Sequence, residues 1–351
     1  MFHFIKKFSI PTFSSLHVYF DLGTSYTRVA IQDKGIVLRE PTIIGMNIKE
    51  REYVFFGHEA KAIMGKVPQF IKIERPIVNS IISEFDAEYS LLQNYFHKAT
   101  SPYIRNYPLL KPGFDAASVV PAAATEIEQK AVEEVLYKLG ASKVFLFEKA
   151  IATAIGCGLN VFAHKPVFIV DLGGGLVEIS VISGGGIVTQ KTIKNAGEHM
   201  NKLIYNYLYL KHGIILGEAT CEDLKTKLLN FVNKEDSLMV RGKSLENGLP
   251  KSVRVKSSDV KEALLSNINQ ILDGIKEVVE LSPPEVVDEL YDQGIILTGG
   301  ISNSPGINEF FSQELQLNIK LAENKDTSTI SGLLRIGRRK DTIERLKIQL
   351  P

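Results

Sequence analysis

Cysteine is nearly absent: Cys157 and Cys221 are the only two in 351 residues, and no CxxC or His-rich spacing surrounds either. That excludes a disulfide framework and a thiolate zinc site, and makes a reducing cytoplasm the expected compartment. An excess of one charge is also missing, since 41 basic side chains face 40 acidic ones. A chain so balanced is composed neither like a disordered tail nor like a basic nucleic-acid binder, and its small self-repulsion suits association with its own copies. No apolar run approaches the roughly 18 residues that a membrane-crossing helix needs. The opening MFHFIKKFSI places apolar side chains ahead of its lysines, the reverse of a secretory signal, so this segment is expected to be retained. GxxxxGK[ST], GxGxxG and HExxH do not occur, which removes support for a P-loop NTPase, a Rossmann site and a zinc peptidase.

What is present is an internal echo. DLG at 21–23 is followed by alternating TRVAIQ, a turn at Asp33–Gly35 and GIVL; DLG at 171–173 is followed by VEISVI, a turn at Gly184–Gly186 and GIVT. The distance from Asp to GIV is 14 residues in the first copy and 15 in the second. Each copy reads as a strand, a glycine turn and two further strands joined by a tight hairpin. Duplicated α/β halves with a cleft between them follow, and the length, at roughly 100–200 residues per domain, accommodates them.

Elsewhere the pattern predicts a helix from Thr125 to Leu139, opened by a capping hydroxyl three residues before Glu128. A buried strand is expected at 144–147 and a small-residue helix in AIATAIGCGL, with Cys157 as core packing. Further helices are expected near 197–212 and 218–230, an antiparallel patch around 239–257, and an amphipathic helix over 258–281 with Val260, Leu264, Ile268, Ile271, Ile275 and Val279 on one face. SPP at 282–284 ends that helix, and GIILTGG at 294–300 supplies a last strand. SPYIRNYPLLKP at 101–112 is expected to be a loop exposing Tyr103, Ile104, Leu109 and Leu110. His58, His97, His164 and His212 lack ligand spacing, and RIGRRK at 335–340 reads as a solvated helix end.

Three glycine turns follow three apolar strands: DLGTSYT at 21–27, DLGGGLVE at 171–178 and TGGISNSPG at 298–306. Glycine lets backbone N–H groups approach phosphate oxygens, and Ser or Thr adds a donor without bulk. An aspartate at the strand end can hold the water shell of Mg2+, which takes one or two carboxylates and keeps several waters. Two Asp-bearing copies with a third loop read together as a phosphate clamp.

In order, DLGTSYT, DKGIVLREPT, GHEAKAIMGKVP, IERPI, VPAAATEIEQKAV, DLGGGLVEISVISGGGIVT, NAGEHMN, LGEATCEDLK, RGKSLENGLPK, SPPEVVDEL and GIILTGGISNSPGINEF resemble MreB, the bacterial actin, in register over about residues 16–337. MreB belongs with actin, Hsp70 and the sugar kinases. The resemblance implies an α/β actin-like ATPase fold, with duplicated RNase H-like domains and four subdomains around a cleft for ATP or ADP with Mg2+. It divides the chain into 1–15, a membrane-contact segment; 16–150, a first domain with a small subdomain at about 45–85; 151–337, a second with one at about 190–260; and a tail, 338–351. It further implies self-assembly into protofilaments at the inner face of the cell membrane, beside other MreB copies, and no nucleic-acid partner.

Carried across by motif, Asp21, Gly23, Thr24, Ser25 and Tyr26 form the first phosphate loop, with Tyr26 in place of a usual asparagine. Asp171, Gly173, Gly174 and Gly175 form the second; Gly299, Gly300 and Ile301 line the adenosine; Glu198, Glu222 and Lys225 fall near the nucleoside. Asp21 and Asp171 would hold the metal through waters. The membrane contacts correspond to Phe2, Phe4, Ile5 and Phe8, beside Lys6 and Lys7, and to Leu109 and Leu110. The chain departs from the family where the attacking water is positioned: EEPMAAAIG becomes EKAIATAIG, with Lys149 for the second glutamate, and Leu176 replaces the threonine after the triple glycine. A charged lysine accepts no proton and leucine makes no hydrogen bond, so the expectation is a diverged copy that binds nucleotide and hydrolyses it weakly. A cation at 149 is expected to face the terminal phosphate. The competing readings are an active MreB-type ATPase directing wall synthesis, in which Glu148 takes over, and a small-molecule kinase, for which no acceptor-binding insertion is visible.

Overall fold

Both DLG segments end the central strand of a five-stranded sheet, and the two sheets have the same topology. A computed structural model describes residues 16–104 and 113–349. The expected membrane contacts Phe2, Phe4, Ile5, Phe8, Leu109 and Leu110 lie outside the described residues.

The first half opens with β1 (Leu16–Leu22), β2 (Tyr26–Ile31) and β3 (Gly35–Pro41). A three-stranded sheet follows, of β4 (Ile44–Asn47), β5 (Glu52–Phe56) and, after α1 (His58–Ile63), β6 (Ile71–Glu74). The hairpin β7 (Ile77–Val78) and β8 (Ile81–Ile82) leads to α2 (Phe85–Ile104), β9 (Phe114–Val120), α3 (Glu126–Leu139) and β10 (Ala141–Glu148). After α4 (Lys149–Gly156), the second half repeats the plan with β11 (Val167–Leu172), β12 (Val177–Ser183) and β13 (Gly186–Ile193). α5 (Gly197–His212), β14 (Ile214–Ile215), α6 (Glu218–Leu228), β15 (Ser237–Ser244) and β16 (Pro250–Lys256) form a smaller unit. α7 (Ser257–Leu281), α8 (Pro284–Gln293), β17 (Ile295–Thr298), α9 (Ile307–Leu315), β18 (Ile319–Leu321), α10 (Ser328–Gly337) and α11 (Lys340–Leu346) complete the chain.

The sheet orders are β10-β9-β1-β2-β3 and β18-β17-β11-β12-β13, with matching senses: β1, β2 and β3 run antiparallel, as do β11, β12 and β13, while β9 and β10, like β17 and β18, join in parallel. β11 is buried along its whole length, and β1 along all but its first two residues, because helices cover both sheet faces; the edge strands β3 and β13 have few buried residues. Each sheet has its own core, and a third cluster joins them: Tyr19 and Phe147 of the first sheet and Ile169 and Ile182 of the second pack with Ile151 of α4 and Leu333 of α10. α4 and α10 approach at Gly156 and Gly332. A Cβ on Gly332 would lie within bonding distance of the Ala152 carbonyl oxygen.

The 101–112 expectation is corrected at its start. α2 continues through Ile104, with Pro102 inside its last turn, where the missing N–H forfeits one bond near the helix end instead of breaking its middle. Tyr103 is exposed, with the Lys34 amine 5.7 Å from its ring centroid. The basic 335–340 run is largely exposed, but Arg335 donates to the Ile155 carbonyl at 2.6 Å, and the chain beyond it docks Ile348 N–H on Leu146 O at 2.8 Å.

Candidate functional site

The turns after β1, β11 and β17 meet in one cleft of about 330 Å³ between the sheets. In open α/β sheets ligand crevices form outside the carboxyl ends of the strands. Gly23 and Gly173 occupy equivalent places in the two turns: a Cβ on either would sit 2.7 Å from a carbonyl oxygen, that of Tyr26 or of Leu176. Gly174 and Gly175 pack directly on the Ser25 and Thr24 hydroxyls, so the two turns face each other across the cleft. Thr24 Oγ1 also accepts the Ser80 N–H at 2.8 Å. Gly299, at φ +87°, lies against the Asp171 carboxylate and the Leu172 carbonyl, which leaves no room for a side chain.

Asp21, Gly23, Thr24, Ser25, Tyr26, Asp171, Gly173, Gly174, Gly175, Glu222, Lys225, Gly299, Gly300 and Ile301 all line this cleft. Lys225 donates to the Gly197 carbonyl and to Glu222, both at 2.7 Å, and Asn201 adds a 2.6 Å bond to Glu222. Burial would raise the Glu222 carboxyl, but Lys225 and Asn201 hold it below the ordinary carboxylate range. Glu198 is not among the lining residues; its Oε1 lies 3.2 Å from Arg75, and burial raises its carboxyl despite that partner.

Lys149 lines the cleft, but its amine is not free to face a terminal phosphate alone. It sits 2.7 Å from Asp171 Oδ2 and 2.7 Å from Glu178 Oε2, with 12% of its side chain exposed. Burial pulls the ammonium down, and the two carboxylates more than reverse this and hold it above the ordinary lysine range. Leu176 is 3% exposed and lies outside the cleft lining, contributing its carbonyl to the Gly173 N–H at 3.0 Å. Glu148 also lies outside the lining; burial, then the Glu178 charge, raises its carboxyl above the usual range.

Sequence reasoning missed two residues here, Arg28 and Glu178. Each follows its DLG aspartate by seven positions and is its cross-strand register partner: Asp21 opposite Arg28, Asp171 opposite Glu178. Arg28 Nη1 lies 3.0 Å from Asp21 Oδ2, the pair being 13% and 7% exposed, and its buried Nε has no hydrogen-bond partner among the described residues. The hairpin length sets this register, so the pairing was available from the DLG spacing. The carboxylates expected to hold a hydrated Mg2+ therefore already carry internal cations, Arg28 on Asp21 and Lys149 on Asp171. This donor set does not fit the expected Mg2+ site.

A family model described as MreB/Mbl protein matches residues 15–345. The cell shape-determining protein Mbl of Bacillus subtilis is 32% identical over 306 residues, covering 87% of this chain and 90% of its own. Among solved structures, MreB5 of Spiroplasma citri bound to AMPPNP superposes with a TM-score of 0.87 at 27% identity, covering 95% of this chain and 98% of that one. A MamK double helical filament shares the fold at a TM-score of 0.76 and 18% identity, covering 93% of this chain and 99% of that one. The fold is thus that of the actin-like ATPases, as expected.

Proposed function

As the chain belongs to the MreB/Mbl family, we propose that it is a cytoskeletal protein that binds ATP or ADP, polymerises into filaments for cell shape or motility, and hydrolyses nucleotide weakly or not at all. The convergence of three glycine turns on one cleft between matched sheets carries the nucleotide reading. MreB5 of Spiroplasma citri, solved with AMPPNP and with ADP, supports it. Backbone N–H groups of the turns cradle the phosphates, Gly299, Gly300 and Ile301 flank the base and sugar, and Glu222 and Lys225 reach the nucleoside.

Weak hydrolysis follows from the ion pairs of Lys149. An attacking water needs a group that takes its proton, and Lys149 is a cation whose proton two carboxylates stabilise. Leu176 offers no hydrogen bond, and Glu148 lies outside the cleft lining. Loss of a positioned acid–base group slows a reaction by about 100-fold to 10,000-fold. Electron microscopy with ATP, paired with a phosphate-release assay, tests the whole reading: filaments with almost no release are expected. Lys149→Glu with Leu176→Thr, checked for folding by circular dichroism, should raise release about 100-fold in the presence of Mg2+. A native rate equal to that of Mbl assayed alongside overturns weak hydrolysis, and absence of filaments overturns the cytoskeletal role.

The filament acts at the inner face of the cell membrane, beside other MreB copies. Phe2, Phe4, Ile5 and Phe8 with Lys6 and Lys7, and Leu109 with Leu110, supply the contact. Burying one such apolar side chain gains about 1.5–3 kcal/mol, and a lysine beside anionic lipid about 1 kcal/mol. No helix among the described residues is long and apolar enough to cross a membrane. Co-sedimentation with anionic vesicles should fall at least severalfold when residues 2–8 or Leu109 and Leu110 are made polar; unchanged binding in both variants removes the membrane contact.

A further inference from the structure

Two independent ion pairs occupy the two places where the cleft would otherwise present free carboxylates. They arise differently. In the first half the cation is Arg28, on the strand that pairs with that of Asp21. In the second half the equivalent hairpin position is Glu178, itself acidic, and the cation comes from Lys149 at the start of α4. The two halves therefore neutralise equivalent aspartates by unrelated routes, at 3.0 Å and 2.7 Å. Neither aspartate is exposed enough for bulk water to screen its partner, the carboxylate side chains being 7% and 11% exposed.

We propose that Arg28 and Lys149 act as resident cations in place of a divalent metal, so that the cleft takes a nucleoside di- or triphosphate without Mg2+. This rests on the nucleotide-binding function proposed above. A hydrated Mg2+ bridges phosphates to the protein because free carboxylates attract its water shell. An ammonium or guanidinium already bonded to those carboxylates removes that attraction and repels the metal. The same cations supply what the metal would have given the phosphates, positive charge in a confined, poorly solvated space. The lining carries five Lys or Arg (28, 39, 149, 225, 325) against four Asp or Glu (21, 171, 222, 326), and Glu178, bonded to Lys149, adds a fifth acid, so the two charges of Arg28 and Lys149 stand where a divalent ion would bring its two. Arg28 also keeps a buried Nε–H with no partner among the described residues, so its hydrogen-bonding capacity is not exhausted by Asp21.

The test uses the native full-length chain and isothermal titration with ATP and with ADP, once in excess EDTA and once in Mg2+. The expected affinity in EDTA is within fivefold of that in Mg2+. Binding in Mg2+ that weakens more than fivefold in EDTA overturns the resident-cation inference and leaves the nucleotide reading standing. Absence of binding in both buffers overturns the nucleotide reading and the inference with it. A second arm uses Arg28→Gln with Lys149→Gln, its fold verified by circular dichroism. Release of the two aspartates should weaken binding at least tenfold in EDTA, with recovery on adding Mg2+. A folded double variant that binds equally well in both buffers, at native affinity, also overturns the inference.

Discussion

At the scale of single residues, the site sets buried charge pairs against turns whose backbone only glycine can form. Lys149 and Arg28 each sit within 3.0 Å of a strand-end aspartate, and the glycine turns around them keep the close approaches that only glycine permits. Lys149 was legible in the sequence as a cation in an acid's place, and the hairpin spacing sets Asp171 opposite Glu178; what no local pattern gives is that the start of α4 brings the Lys149 amine onto both carboxylates. Glu88 is a second buried charge problem, remote from the cleft lining. It is fully buried on α2, and neither carboxyl oxygen has a hydrogen-bond partner among the described residues. Burial pushes its pKa up to about 8 from an ordinary 4.5. Between those values the folded chain holds a proton that the unfolded chain has lost, so stability falls as pH rises, by up to about 1.4 kcal/mol per pH unit. Urea unfolding at pH 5.5, 6.5 and 7.5 should show this decline in the native chain and a flatter profile in Glu88→Gln. Parallel profiles would mean that Glu88 is not protonated in the fold.

At the scale of elements, local signals placed the helices well where chemistry marks their ends. Thr125 caps α3 and Glu128 closes the box, Gly140 ends it in the left-handed region, and Ser282 with Pro283 ends α7. α2 runs into the segment expected as a loop because a proline near a helix terminus is a weaker stop than the same residue in mid-helix. The small residues of α4 announced close packing without naming its partner, since α10 lies more than 170 positions further on. That crossing carries the cluster joining the two sheets, and it sets a sharp expectation. In an ordinary helix interior, Gly→Ala stabilises by about 1 kcal/mol. At Gly332 the added methyl meets the Ala152 carbonyl and the Gly156 backbone, so Gly332→Ala should destabilise by more than the roughly 1–3 kcal/mol of ordinary overpacking. Thr125→Ala, which removes only a cap, should lose about 1 kcal/mol. Chemical denaturation of both variants checks the ranking, and a Gly332→Ala chain as stable as the native one would refute the close crossing.

At the scale of the molecule, the cleft is spanned by charges that tie one half to the other. Arg75, following β6, reaches Glu198 at 3.2 Å and Glu218 at 2.6 Å; Arg39 on β3 reaches Asp326 at 3.1 Å. Of these five side chains all but Arg39 and Glu218 are less than about two-fifths exposed, so solvent screens these pairs in part and each is worth about 0.2–1 kcal/mol. The third hydrophobic cluster joins the sheets on its own, so the salt links act on how far the halves part and only weakly on whether they fold together. Opening the cleft must break both contacts of Arg75, and the nucleotide proposed to lie between the glycine turns would leave by that opening. Arg75→Ala should therefore speed dissociation of a fluorescent ADP about 3-fold to 10-fold, with little change in unfolding midpoint. Salt provides the control, because the screening length shrinks to about 3 Å at 1 M. Raising ionic strength should accelerate release from the native chain and bring it toward the variant, whose own rate should respond less. Stopped-flow displacement at two salt concentrations reads both effects, and equal salt dependence in the two chains would show that Arg75 does not hold the halves together.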